Sequence, residues 1–399
     1  MTYDLFSQDF KVNPYPTFAR MRREAPVYAH QSPGGQTIWY ITRYDDVVAV
    51  LKDTEHFVKD IHNVEPAAAA SSTPNIHQAI NQNMLFSDPP QHTRLRALVN
   101  QAFTSRRVAQ MAGQIRATAD KLLDRVQPTG HMDLIAAYAL PLPVLVISDM
   151  LGVSAQDRQE IFESSQAIIS PGRHQLTFRA RRRRVRAFVD YLQQLFAERK
   201  KNPRDDLITA LVQAEQSGDK LTNMELSSMV ALLLVTGHET TVNLIGNGVL
   251  ALLRHPAQLA RLKENPELID AALEELLRFD GPVESSTTRW AKTDVEFRGQ
   301  LIKKGDIVRV VLASANRDST CCAHPDRLDI TRQDNRHLAF GHGIHYCLGA
   351  PLARLEGRIA LTTLFERMPN LRLSVAPTQL RWNSGVLFRG LEQLPVKWG

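Results

Sequence analysis

Cysteine is scarce in this chain of 399 residues, which holds only Cys321, Cys322 and Cys347. Three cysteines, two of them adjacent, cannot build a disulfide framework, so a reducing cytoplasm is the expected setting. Long apolar runs are missing too. No stretch approaches about 18 continuous apolar residues, and the sequence therefore offers no membrane anchor. The first ten residues, MTYDLFSQDF, carry neither a basic n-region nor an apolar h-region. No self-similarity recurs at a period of about 20 to 50 residues, which argues against a solenoid. Charge of one sign is nearly balanced: 48 Lys and Arg against 42 Asp and Glu leave +6. An excess this mild suits an acidic partner better than nucleic acid, whose binders concentrate basic residues on one face. No Gly/Ser linker divides the chain, and the nearest approach to low complexity, Pro66 to Pro74, reads as a long loop.

What is present is mostly helical periodicity. Asp45 to Lys52, Thr93 to Phe103, Val108 to Val126, Gln156 to Ile169 and Val185 to Phe196 repeat apolar residues at spacings of three and four. Strands are predicted at Thr37 to Thr42, Val295 to Arg298 and Ile307 to Leu312. One helix stands apart. Thr222 and Glu225 form a capping box, and the apolar pattern continues to Arg254, where His255-Pro256 stops it. Its roughly 48 Å length at 1.5 Å per residue would carry it across a whole domain. Its middle, Thr236-Gly237-His238-Glu239-Thr240-Thr241, mixes glycine, polar and β-branched residues, which weaken a helix. Either the core tolerates a glycine there, or a groove opens beside a ligand.

The run Arg179 to Arg186 invites a nucleic-acid reading. Phe178, Val185, Phe188, Leu192 and Leu195 nevertheless trace an apolar stripe through it, so the run reads as a solvated helix face.

The most informative segment is Phe340-Gly341-His342-Gly343-Ile344-His345-Tyr346-Cys347-Leu348-Gly349-Ala350. Its glycines permit a tight loop that can lie flat against a planar group. Leu348 to Arg367 then reads as a helix, which sets the Cys347 thiol at a helix N-terminus, where thiolate is favoured. His342, His345 and Cys347 could supply three zinc ligands, but a structural site wants four. The segment HETTV at 238 to 242 lacks the second His of a zincin.

At these residues the chain resembles the cytochrome P-450 family of haem-thiolate monooxygenases. The segment fits Phe-Gly-x-Gly-x-His-x-Cys-x-Gly at every fixed position. Three further matches extend the resemblance over nearly the whole chain. Glu275-Leu276-Leu277-Arg278 fits the family's Glu-x-x-Arg, with Arg332 as third member of a buried structural network. His92 and Arg96, at i and i+4 in a helix opened by Pro89-Pro90, resemble the residues that, with Arg289 and His345, hold the haem propionates. Gly237-His238-Glu239-Thr240 fits the oxygen-activation motif, with Glu239 and Thr240 as an acid–alcohol pair that delivers protons to bound oxygen. Thr236 stands where the family usually has Ala or Gly; its hydroxyl either bonds back to the Leu232 carbonyl or narrows the site.

The resemblance implies one mainly α domain over 1–399 with a minor β region, and haem b (iron protoporphyrin IX) between the long helix and the Cys347 loop. Cys347 would be the axial thiolate, which favours O–O cleavage. The implied activity is NAD(P)H-dependent insertion of one atom of O2 into a small apolar molecule. Electrons would come from a ferredoxin and its reductase, since no GxGxxG follows a strand. Arg94, Arg354 and Arg358 are candidates for the ferredoxin-docking rim. A peroxygenase, an isomerase and a non-catalytic haem protein are the alternatives. Glu239-Thr240 in place of Arg-Pro leans against the first. Substrate choice would lie in Phe57 to Phe86, Ile161 to Phe178, Pro282 to Thr287 and Gly385 to Phe388.

Overall fold

The computed structural model describes residues 2–65, 81–169, 177–216 and 218–399; the Pro66 to Pro74 stretch lies outside them. The fold is mainly α-helical with small sheets, as the sequence pattern predicts. Described helices of seven residues or more are α1 (Tyr15–Glu24), α2 (Tyr44–Lys52), α3 (Gln91–Ala102), α4 (Ala112–Val126), α5 (Pro141–Leu151), α6 (Arg158–Ile169), α7 (Phe178–Lys201), α8 (Leu207–Gln213), α9 (Asn223–Arg254), α10 (Pro256–Glu264), α11 (Ile269–Asp280) and α12 (Ala350–Arg367). The predicted Val108 to Val126 helix is in fact broken at Met111, between Ser105–Gln110 and α4.

The chain divides into two compact units, Met1–Glu65, Ile115–Pro141 and Thr240–Gly399 in the first, Pro66–Gln114 and Leu142–Glu239 in the second. In the first, β1 (Val27–Gln31), β2 (Thr37–Ile41), β3 (Phe57–Val58), β4 (Arg289–Ala291) and β5 (Ile307–Val310) form a sheet ordered β1-β2-β5-β4-β3. The β1–β2 hairpin pairs Val27 with Ile41, β5 joins β2 in parallel, and β4 pairs Val308 with Arg289. Val47, Val50, Phe57, Ala291, Val308 and Val310 make its core. The predicted strand over Ile307 to Leu312 stops at Val310, because Leu312–Ala315 turns into a short helix. Elsewhere in this unit, α12 presses on α11 and on the C-terminal part of α9 through a small residue. A Cβ on Gly357 would lie 2.9 Å from Leu273 and 3.1 Å from Leu244.

The second unit is helical. Buried Arg199 of α7 donates to Asp206 at the start of α8, at 2.5 Å, and to the Gly152 carbonyl at 2.9 Å. Gln193 ties α7 to Ser227 of α9 at 2.8 Å. Val185, Phe188 and Leu192 of the predicted apolar stripe are buried.

Helix α9 starts as its sequence dictates. Glu225 N–H donates to Thr222 Oγ1 at 3.2 Å, and Thr222 N–H donates to Glu225 Oε2 at 2.9 Å. It runs 32 residues without interruption, through Gly237, to Arg254. It is long and apolar enough to cross a bilayer by length and composition, yet most of it is buried in protein.

Candidate active site

The Cys347 loop is shaped by its glycines. Gly341 and Gly343 both sit at φ +72°, a region closed to most side chains. Gly343 also lies against the end of α2, where an added Cβ would come 2.7 Å from the Leu51 carbonyl oxygen. The loop is closed by Cys347 N–H donating to the Phe340 carbonyl at 2.9 Å and Gly341 N–H to that of Leu338 at 2.8 Å. α12 begins at Ala350, two residues later than the sequence suggests, with Gly349 as N-cap. Cys347 is exposed in this protein fold, whereas Cys321 and Cys322 are buried. Among the described residues, His342, His345 and Cys347 do not converge as a three-ligand metal group.

A buried polar frame supports the loop. Arg278 grips Glu275 with two hydrogen bonds, at 2.7 and 2.8 Å, and Arg332 adds a third at 3.1 Å. Arg278 also donates to the Asn316 and Pro325 carbonyls. Next to it, Arg354 of α12 chelates Glu274 at 2.6 and 2.8 Å, with its guanidinium 4.5 Å from the Phe340 ring centre. Burial pushes the Glu274 carboxyl up, but hydrogen bonds from Arg354 and His337 outweigh it and hold it at about 2.

Arg289 is buried on β4 and donates to Ser286 Oγ at 3.2 Å, and His345 is half-buried in the short turn Gly343–His345. With Thr240 and Cys347 they belong to the first unit. His92, Arg96 and Glu239 belong to the second. His92 is buried at the start of α3, with Arg96 half-buried one turn on. Burial lowers the His92 imidazole, Arg96 lowers it further, and Asp88 opposes both. It therefore accepts a second proton only below the usual histidine range.

Along α9 the burial pattern changes just at the predicted motif. From Glu225 to Leu252 each residue is buried except Val235, Thr236, Gly237, Glu239 and Thr240, which are half-exposed. Residues 235, 236, 239 and 240 share one helix face. Thr236 Oγ1 donates to the Leu232 carbonyl at 2.7 Å, the first of its two predicted roles, and His238 Nδ1 lies 2.6 Å from the Leu234 carbonyl. The feature retained at Gly237 is thus an uncovered polar face on an intact helix.

Arg94 is not a free rim charge. It is half-buried and bound to Asp219, at 3.0 Å, and to Glu225. Arg354 is likewise committed to Glu274, while exposed Arg358 lies 3.7 Å from Asp270.

Sequence reasoning missed Glu356. It is wholly buried on α12, Oε2 has no hydrogen-bond partner, and burial pushes the carboxyl up to about 8 although Thr241 donates to it. The signal was available: Glu356 falls midway between Leu352 and Ala360, on the apolar face of its helix.

Comparison with known proteins accords with this geometry. The cytochrome P450 family model matches residues 5–384. The polyketide biosynthesis cytochrome P450 PksS of Bacillus subtilis is 43% identical over 98% of this chain and 96% of its own. Its solved structure covers both chains fully at a TM-score of 0.93. The cytochrome P450 monooxygenase PikC of Streptomyces venezuelae is 44% identical over 98% of this chain and 92% of its own. P450BioI, solved in complex with an acyl carrier protein ligated to hexadec-9Z-enoic acid, is 38% identical at a TM-score of 0.88, covering 98% of this chain and 99% of its own.

Proposed function

Because the chain belongs to the cytochrome P450 family of monooxygenases, we propose that it inserts one oxygen atom from O2 into an apolar substrate of the acyl or polyketide class. Electrons come from NAD(P)H through a ferredoxin reductase and a ferredoxin. The whole of 1–399 acts as one catalytic domain in the cytoplasm. The substrate class rests on the polyketide and fatty-acyl relatives.

The residues present suit haem b. A thiolate donor at Cys347 matches the iron, and Arg289, Arg96, His345 and His92 offer the cationic and hydrogen-bonding partners that two propionate carboxylates require. When bound, the haem supplies oxygen activation, with thiolate donation favouring O–O cleavage. The remaining chemistry is the chain's own. The Gly341–Gly343 loop presents the thiol, and the Glu275–Arg278–Arg332 frame keeps that loop rigid. Thr240 Oγ1 holds a proton-bearing water on the half-exposed face of α9, and the Glu239 carboxylate resupplies the proton. The Thr236 hydroxyl, spent on the Leu232 carbonyl, leaves that role to Thr240. The ferredoxin docks on the Cys347 side by charge steering, using Arg358 and exposed Lys52, whose backbone adjoins Gly343.

The observation that carries this reading is the coincidence of the complete Cys347 loop with the break in burial at Thr236 to Thr240. Thr240→Ala tests it. NADPH consumption and substrate-induced spectral shifts should persist while electrons leak to hydrogen peroxide. Product per NADPH should fall steeply, since loss of one acid–base group costs about 10²–10⁴-fold in its step. Undiminished coupling in Thr240→Ala and Glu239→Gln would overturn the proton route. Turnover of the parent with peroxide only, or with no oxidant, would overturn the monooxygenase reading for this chain.

A further inference from the structure

Helix α7 carries a local charge imbalance that the proposed chemistry does not use. From residue 164 to 189 there is no Asp or Glu, while seven arginines occupy the same interval. Arg179, Arg182, Arg183 and Arg186 are exposed and, at spacings of three and four, share one face of α7. The buried residues Val185, Phe188 and Leu192 lie on the other side of the helix. Among the described residues no carboxylate forms an ion pair with any of the four: exposed Asp190 follows Arg186 by one turn without pairing, and Glu163 reaches Arg184 instead, at 3.8 Å.

This arrangement costs the helix stability twice. Like charges three and four apart repel. Positive charge in the first turns also opposes the helix dipole, whose N-terminal end is positive. The local cap, Thr177 Oγ1 accepting from Ala180 N–H at 3.3 Å, relieves neither effect. A feature that weakens its own helix and gains no internal partner is explained by an external one.

The surface itself narrows the class of partner. A membrane-surface helix needs apolar side chains to insert, whereas Val185, Phe188 and Leu192 of α7 are buried. Nucleic-acid binding by stacking needs exposed aromatics, and none interrupts the stripe. An electron donor belongs with Cys347, in the other unit. α7 instead follows directly on Ile161 to Phe178, one of the segments assigned to substrate choice. Resting on the acyl-substrate reading above, we propose that the Arg179–Arg182–Arg183–Arg186 face docks an acidic carrier protein that presents the substrate's acyl chain as a thioester. The relative solved with a fatty-acyl carrier protein shows that this fold can accept a substrate delivered that way.

The test uses the haem-loaded enzyme and a fluorescently labelled acidic acyl carrier protein loaded with a hexadecenoyl chain. Anisotropy should show binding that weakens as salt rises from about 0.01 to about 0.15 M, where the screening length falls from about 30 to about 8 Å. The fourfold variant Arg179→Glu, Arg182→Glu, Arg183→Glu, Arg186→Glu should bind at least about tenfold more weakly. Its haem content, its spin-state shift with free hexadecenoate and its reduction by ferredoxin should match the parent's. Equal carrier binding by parent and variant overturns the proposal, as does a stripe that binds phosphatidylglycerol vesicles or duplex DNA but not the carrier. If docking depends on the stripe while neither free hexadecenoate nor the loaded carrier shifts the haem spectrum, the docking surface stands and the acyl-substrate reading falls. If free hexadecenoate shifts the spectrum but carrier binding ignores the stripe, the reverse holds.

Discussion

Two arginine-rich regions of this chain use the same side chain in opposite ways. In the first unit Arg278, Arg317 and Arg389 are interior fittings, buried and bound to acceptors. Arg278 is shared between Glu275 and three carbonyls. Arg317 lies between the rings of Tyr15 and Phe279, at 3.9 and 3.7 Å. Arg389 donates to Asp280 at 2.5 Å and to the Lys11 carbonyl, and stacks 3.7 Å from Trp382. On α7 the guanidinium groups of Arg179, Arg182, Arg183 and Arg186 pair with neither acid nor ring among the described residues. The planar fork of arginine holds a fold together only where acceptors are built to meet it. Without them it is a source of field at the surface.

The sharpest way to break this contrast is Arg278→Leu. It breaks the two-pronged pair and leaves buried Glu275 with Arg332 as its remaining cation, at 3.1 Å, for which about 3 kcal/mol of destabilisation is expected. Thermal unfolding and haem retention would record the loss together, and an unchanged melting temperature would show that the network is not structural. Glu356 gives an intermediate effect of different kind, since it is a buried acid with no cation beside it. Its carboxyl stands at about 8 in the fold against an ordinary 4.5. Below about 4.5 it is neutral in both states. Between the two values the unfolded chain gives up a proton that the fold retains, so the parent should lose stability as pH rises through that window and level off above it. Glu356→Gln should lack this decline, and parallel urea midpoints for the two proteins across the window would refute it. Smallest of all, Arg182→Gln on α7 should stabilise the protein by about 0.2–0.5 kcal/mol, by relieving like-charge pairs. A loss of stability there would mean that the face has a partner within the fold.

Much of this was legible in the chain because it rests on short-range chemistry. The Thr222–Glu225 box, the stop at His255-Pro256, the glycine-shaped Cys347 loop and the Glu275–Arg278 pair each depend on residues within a few positions of one another. What escaped depends on distant ones. Strand β1, Val27–Gln31, reads as three apolar residues followed by polar His30 and Gln31, without alternation, and pairing with β2 determines it. Arg94 reads as a surface cation until Asp219 and Glu225, more than a hundred residues away in sequence, are brought to it. The break at Met111 has only Gly113, two residues on and inside α4, to announce it. The face formed by Arg179, Arg182, Arg183 and Arg186 is solvated as its pattern predicts, but that none of the four forms an ion pair among the described residues required the packing of α6 and α7.

The seat of Gly343 against Leu51 has a consequence for how the molecule opens. The contact is with backbone, 2.7 Å from where a Cβ would stand, so α2 cannot shift toward the loop and the loop cannot gain a side chain there. The end of α2 and the turn bearing Cys347, some three hundred residues apart in sequence, are therefore joined in one cooperative unit of local unfolding. Fraying of α2 releases the thiol-bearing turn with it. The placing of the exposed Cys347 thiol is then governed by the stability of a nine-residue helix far from it in sequence.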